Sequence, residues 1–393
     1  MSSRRKFLGQ VATSISGLVL GANEKVRFGV IGYGDRGHEI VRDAVTCPNT
    51  EFAAVCDIYT DQRERAKAIA PAVKTYIDHR LMLEDKDLDA ILIATPQHLH
   101  CEHFVDAIQA GKHVYLEKTM AFTVEHAKRM RAAYEPVKTK QLVQVGHQAC
   151  SSGHVIDAQG FLGKLGQITG INATMYRNTP HGKPQWYRPV NAGMNPENIV
   201  WNKFLGEAPK LPFDANRYEN WRFFWDYSGG NVYENMCHQV AFWYKVMGLQ
   251  IPTSVTMTGG LYLWKDGREV PDTMNVSMTQ PEELLFSWIS GFGNSSLGMT
   301  EQVLGSDGTI TRGPQVRFLP EKMNAPQAEA LTGTTPTNPA AHMRNFIDAI
   351  REGKEINCPF DLGFRVSIAC RMAVESYRQG RTMHWDPAKE QIA

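Results

Sequence analysis

Surplus charge is scarce in this sequence. Its 42 Lys and Arg balance 41 Asp and Glu, so no basic field favours nucleic acid as a partner. Cysteine chemistry is thin too. The seven cysteines (47, 56, 101, 150, 237, 358 and 370) are scattered, odd in number and free of any Cys-x-x-Cys pair, so they supply no disulfide framework. Long apolar runs are missing. The only candidate membrane segment is VATSISGLVL, residues 11–20, about half of what a bilayer span needs, and no stable membrane anchor is expected. There is no internal repeat and no low-complexity segment. What remains is the composition of a globular enzyme, 42% hydrophobic and 21% charged, with 393 residues for two domains.

The first stretch with a message is Ser3-Arg4-Arg5-Lys6-Phe7-Leu8. Paired arginines ahead of a short apolar run read as a twin-arginine export signal over residues 1–22, with Leu20-Gly21-Ala22 as a small-residue cleavage site. A disordered tail is the plain alternative. Export predicts a periplasmic protein. Removing three basic residues leaves 39 against 41, a net charge of −2.

From Lys25 strands and helices alternate. KVRFGVIGYGDRG, EFAAVCD, DLDAILIATP, HVYLEK and QLVQVGHQ read as strands with their end turns, and helical patterns lie between them. The alternation predicts an α/β fold, a doubly wound parallel sheet over 25–147. Residues 148–360 then turn β-rich with period-2 stretches such as TMNVSMTQ and ELLFSWISG, predicting an α+β domain with a large, mostly antiparallel sheet. Residues 361–393 are expected to form a helix and tail that pack back on the first domain. An aromatic insertion, 177–230, interrupts the second domain.

Gly32-Tyr33-Gly34-Asp35-Arg36-Gly37 is G-x-G-x-x-G. It follows a strand, opens a helix and precedes a second strand ending in Asp57, the context of a dinucleotide site. The first glycine permits the turn, the second admits the pyrophosphate, and the third lets helix and strand meet. Asp57 would accept from the adenosine ribose hydroxyls and repel a 2′-phosphate, so NAD is favoured over NADP. Thr95, Pro96, His98 and His100 end the third strand and Glu117 and Lys118 the fourth, at the edge where such folds bind ligands. The string HLHCEH invites a metal reading, but it runs from loop into helix with no second cluster, and no metal is expected.

AGKHVYLEKTM and ATPQHLH resemble segments of the glucose–fructose oxidoreductase / inositol dehydrogenase (Gfo/Idh/MocA) family, and GGNVYENMCH (229–238) resembles its "GGGxxxDxGxH" segment. The likeness covers the chain after the signal and, with that signal, suggests an exported carbohydrate-associated branch. It implies that Lys118 touches the nicotinamide ribose and the reacting hydroxyl, that Glu234 stands where the family has Asp, and that His238 serves as acid or base. Physical reasoning agrees. A lysine near a cofactor's positive charge is driven toward its neutral form, and histidine titrates near neutrality. A surface Lys118 paired with Glu117, and His238 as a satisfied core histidine, are the bland readings. Thr119 replaces the family's proline. His147 and Gln148 are read as linking cofactor and substrate. Tyr176, Arg177, Trp186 and the insertion's other aromatics line a sugar cleft, because sugar C–H faces stack on rings, or else belong to the core or a subunit interface.

Three functions follow from these residues. The first is an oxidoreductase acting on a sugar secondary hydroxyl with tightly bound NAD. The second is a redox-neutral glycoside hydrolase that uses NAD catalytically, as in α-N-acetylgalactosaminidases. The third is an NAD-binding sensor. A small carbohydrate is the expected substrate and a homo-oligomer the expected assembly.

Overall fold

The computed structural model describes residues 25–324 and 326–393. The export segment expected at 1–22 lies outside them. Among the described residues no helix is long and apolar enough to cross a membrane.

The first unit runs β1 (Val26–Ile31), α1 (Asp35–Val45), β2 (Thr50–Cys56), α2 (Thr60–Ala66), β3 (Lys74–Tyr76), α3 (His79–Leu83), β4 (Ala90–Ile93), α4 (His100–Gln109), β5 (His113–Leu116), α5 (Val124–Tyr134), β6 (Val143–Val145). The strands pair in the order β3-β2-β1-β4-β5-β6, all parallel. Helices cover both faces, so β1 is a continuous apolar run with only Arg27 less than buried. The order reverses between β1 and β4. That switch opens a crevice beyond the carboxyl ends of the strands.

The second unit contains α6 (His154–Phe161), β7 (Ile168–Tyr176), α7 (Trp201–Leu205), α8 (Ala215–Glu219), α9 (Cys237–Met247), β8 (Ser254–Gly260), β9 (Thr273–Gln280), β10 (Leu284–Gly291), β11 (Met299–Gly305), β12 (Gly308–Arg312), β13 (Val316–Pro320), β14 (Leu331–Thr332), α10 (Ala341–Glu352), α11 (Phe360–Gln379), β15 (Met383–Asp386), β16 (Gln391–Ile392). The sheet order is β14-β13-β12-β11-β7-β10-β9-β8-β15-β16. β7 and β10 run parallel. The other pairings are antiparallel. In β9, Met274, Val276 and Met278 point into the core while Asn275 and Thr279 point out, the period of a sheet with one covered face.

The chain's end touches both units. α11 is buried among residues of both units, with Val366, Ile368 and Met372 in one continuous core with Val145 of β6 and Val255 of β8. The tail extends the large sheet, where β15 pairs with β8, and it also reaches α5 of the first unit, where Glu390 pairs with Arg131 and its carbonyl accepts from Lys128 Nζ at 3.4 Å. α10 joins the nucleotide unit as well: its Met343, Phe346 and Ile350 share a core with Val26, Phe28 and Ile40.

The 177–230 insertion crosses the crevice and is stitched to its rim. Thr60 N donates to Asn198 O at 3.0 Å and Val200 N to Ile58 O at 3.1 Å, just after β2. Arg188 pairs with Asp35 at 3.0 Å, Lys203 with Asp78 at 2.7 Å, and Phe204 O with the His98 ring at 2.7 Å. These anchors lie in the loops after β1, β2, β3 and β4. Trp201, Phe204, Phe223, Phe224 and Tyr227 give the strap its own small core.

Candidate active site

A cavity of about 1020 Å³ lies between the carboxyl edge of the parallel sheet and the strap, at the upper end of the ~300–1,000 Å³ usual for ligand sites. One end is made of backbone. Gly32 turns the chain with φ +85°, and a Cβ on Gly37 would stand 2.0 Å from Gly32 O, so α1 can meet β1 only through a glycine. A Cβ on Gly34 would meet nothing within 4 Å. That opening faces the first turn of α1, whose N–H groups suit a phosphate. Asp57 lines the same end and accepts from Tyr33 N at 2.6 Å and Tyr59 N at 2.8 Å. Burial pushes its carboxyl up, against these backbone donors. The donors, the opening and the carboxylate fit an adenine dinucleotide, with Gly32, Gly34, Asp35, Arg36, Asp57, Thr95 and Pro96 on the wall.

The other end is made of side chains. Lys118 Nζ lies 2.9 Å from Glu234 Oε2, and Arg222 Nε lies 3.1 Å from the same oxygen. Gln97 Nε2 donates to Oε1 at 2.6 Å. Burial raises the Glu234 carboxyl, but Lys118 and Arg222 outweigh it and hold it down to about 2. It is a carboxylate at any ordinary pH. Glu117 pairs instead with Arg36 at 2.8 Å, tying the glycine turn to the residue before Lys118. The Lys118–Thr119 peptide is cis, and Thr119 Oγ1 donates to Tyr233 O at 2.8 Å.

Several expectations change here. The bland partner for Lys118 was Glu117; the structure gives it Glu234. Glu234 bonds to Lys118, Arg222 and Gln97. It sits in a single π-helical turn, Val232–Met236, ahead of α9. The half-buried His238 ring packs edge-on against His147 at 5.5 Å and feels the charges of Lys118 and Arg177 on the cavity wall. Burial pushes both imidazoles well below their usual range. His98 and His100 do not line the cleft. His98 holds Phe204 O, and His100 bridges Thr119 O and Thr95 O at 2.9 Å each, so both tie loops together. The Tyr33 ring turns away from the cofactor end and stacks on Phe52 at 5.9 Å; only its backbone faces Asp57. Gln148 donates to Glu117 at 3.4 Å. Tyr176 lies against Gly291 rather than on the wall.

The insertion's aromatics divide. Trp186 and Trp221 line the cavity with Arg177 and Arg222, while Trp201, Phe224 and Tyr227 are core and Tyr187 is exposed. Arg222, Gln97 and Asn235 were not singled out by sequence. Arg222 lies in WRFFW, where its neighbours read simply as core. Among the described residues, His79, Glu102 and Asp106 are close enough to share an ion, but His79 Nε2 is already bonded to Asp106 at 2.7 Å.

Comparison with known proteins gives the same picture. Residues 26–147 match the Gfo/Idh/MocA model described as an oxidoreductase family with an NAD-binding Rossmann fold, and residues 210–384 match that family's C-terminal alpha/beta domain. A curated alpha-N-acetylgalactosaminidase of Shewanella oneidensis is 35% identical over 121 residues, covering 28% of this chain and 26% of that protein. A glycosyl hydrolase family 109 protein of Shewanella sp. strain ANA-3 is 34% identical over 125 residues, 30% and 27% of the two chains. The match thus spans about a quarter of these relatives. A levoglucosan dehydrogenase solved with NADH and levoglucosan superposes with a TM-score of 0.70 at 19% identity, covering 92% of this chain and 99% of that one. This last likeness speaks for the fold alone.

Proposed function

The chain belongs to the Gfo/Idh/MocA oxidoreductase family, and from that premise we propose an exported enzyme that oxidises or reduces a secondary hydroxyl of a sugar or glycoside with tightly held NAD. The observation that carries this reading is the Lys118–Glu234–Arg222 constellation at one end of a cleft whose other end fits a dinucleotide. Bound NAD would supply a hydride acceptor or donor. Lys118 Nζ, held by the Glu234 carboxylate and by Glu234 O at 3.3 Å, is the group placed to exchange a proton with the substrate hydroxyl. Glu234 fixes its position and accepts from a second hydroxyl. The Trp186 and Trp221 rings offer faces to the sugar's C–H surface. His238, half-buried against His147, is the second candidate acid or base.

Tight retention is supported by the strap, which is anchored at the carboxyl ends of four strands beside the cavity. Asp57 at the ribose end supports NAD over NADP. Export through a route that carries folded proteins is consistent with a cofactor loaded beforehand. Self-association is part of the same reading. It is supported by the outward face of the large sheet, where Thr256, Thr258 and Asn275 stand free of covering helices.

Native mass spectrometry of protein recovered from the periplasm tests the whole reading. The expected species lacks residues 1–22, carries one NAD per subunit and shows the subunit number. Nicotinamide absorbance should then change when the right sugar is added. Protein that takes up no NAD, or that reduces none of it with any aldose, glycoside or polyol, sinks the proposal. The Shewanella relatives favour one second reading, redox-neutral glycoside hydrolysis. Release of nitrophenol from nitrophenyl glycosides without an added acceptor would decide for it. Bound NAD with no turnover of any sugar or glycoside would favour a sensor.

A further inference from the structure

Most of the charges on the cavity wall are paired. Arg36 and Glu117 offset each other. Lys118 and Arg222 share the single carboxylate of Glu234, while Glu219 faces Arg188 at 3.8 Å. Arg177 also lines the cavity. Among the described residues no carboxylate pairs with it. Its backbone N–H donates to Gly291 O at 3.0 Å, and its guanidinium reaches only the Met175 sulfur, at 3.6 Å. The side chain is half-buried on the cavity wall, and burial lowers its pKa with no acid opposing the shift. Its planar donors match two oxygens of one acidic group.

Arg177 stands at the start of the strap, immediately after β7. It shares the wall with Trp186, whose indole lies edge-on to Phe292 at 4.8 Å, and with Trp221, whose ring carries the Arg222 guanidinium at 4.3 Å. A ring-stacking surface and an unpaired guanidinium therefore face one chamber. We infer that the substrate is an acidic sugar, whose carboxylate, sulfate or phosphate group is bound by Arg177 while the ring lies against the tryptophans. This rests on the carbohydrate reading above and narrows its substrate class.

The test is a paired panel of sugars on the purified, NAD-containing protein, read by quenching of tryptophan fluorescence. Glucose is set against glucuronate, galactose against galacturonate, and glucose against its 6-sulfate and its 6-phosphate. At least one acidic member is expected to bind about tenfold or more tightly than its neutral partner. The best class tells carboxylate from sulfate and phosphate. Raising salt should weaken the acidic ligand selectively. Arg177→Met should reduce the preference to less than about threefold, and Arg177→Lys should keep part of it; melting curves confirm that each variant is folded. Neutral partners binding as tightly as acidic ones, or a preference that survives Arg177→Met, overturns the inference. If NAD binds but no sugar of either kind does, the carbohydrate reading falls, and the acidic-sugar inference with it. If neutral sugars bind and are oxidised with no acidic preference, only the inference falls.

Discussion

The two ends of the cavity are built in opposite ways. The dinucleotide end is mostly backbone from a short stretch, with Asp57 accepting from Tyr33 N, 24 residues before it. The Lys118 end is side chains brought from far apart. Gln97 and Lys118 meet Glu234 from 137 and 116 residues away, and Arg222 comes from the strap. The first end can be specified by local turn chemistry. The second exists only once both units and the strap are in place. Substitutions should therefore act differently at the two ends, on binding and stability at one and on turnover at the other.

The largest effect is expected at the side-chain end. Glu234→Gln removes the charge that Lys118 and Arg222 share and should lower turnover by about 10²–10⁴-fold, while bound NAD, measured after denaturing the same sample, stays near one per subunit. Turnover within threefold of the parent would show that the two ends do not divide the work this way.

Two glycines at the backbone end sharpen the contrast. Gly37→Ala places a methyl 2.0 Å from Gly32 O and should cost about 1–3 kcal/mol of stability as overpacking. Gly34→Ala meets no protein atom within 4 Å, so its melting temperature should hold while NAD affinity drops. Equal melting losses in the two variants would contradict the assignment of one glycine to packing and the other to the ligand.

The ends also differ in their response to pH. Around the Lys118 end, burial keeps His147 and His238 well below the usual imidazole range and holds His98 and His342 down to about 4. The unfolded chain takes protons on these groups below about 6.5, and the folded chain does not. Stability should thus fall as pH drops from 7 to 5, by up to about 1.4 kcal/mol per pH unit for each histidine that titrates only when unfolded. Asp57 has the opposite sign, because its raised carboxyl favours the folded state on the acid side. The Glu234 contribution is present above its unfolded value and is lost only as pH falls toward about 2. Melting curves from pH 7 to 5 that do not move would mean that water or protons reach the histidines in the folded state.

The smallest effect on stability is expected where the strap meets the glycine turn. Arg188→Ala removes an exposed ion pair with Asp35 worth under about 1 kcal/mol, so melting should barely change. NAD release, followed by exchange against labelled cofactor, should become a few-fold faster. An unchanged release rate would remove this anchor from the retention of the cofactor.

The parallel sheet and its glycine turn were legible because each signal is contiguous. VRFGVIGYGDRG shows strand, turn and helix start in a dozen residues, and the alternation TMNVSMTQ announces a half-covered strand. Lys118 and Glu234 were found as well, through segments that resemble family motifs. Their pairing was hidden, since nothing in either segment points to the other. The histidines misled for a related reason. His98 and His100 sit beside a cleft motif, but side-chain direction sends them into the protein, where backbone carbonyls need donors. Arg222 and Gln97 carried no local mark.

The sequence by itself determined the order of strands and helices, the position of the phosphate-facing turn and the identity of the acidic residue that ends β2, because hydrophobic period and glycine placement act over a few residues. Tertiary structure alone decided which carboxylate Lys118 faces, that the strap roofs the cleft, and that Arg177 is left without a counter-ion. Those outcomes depend on burial and on charges meeting across long separations, and no local pattern encodes them.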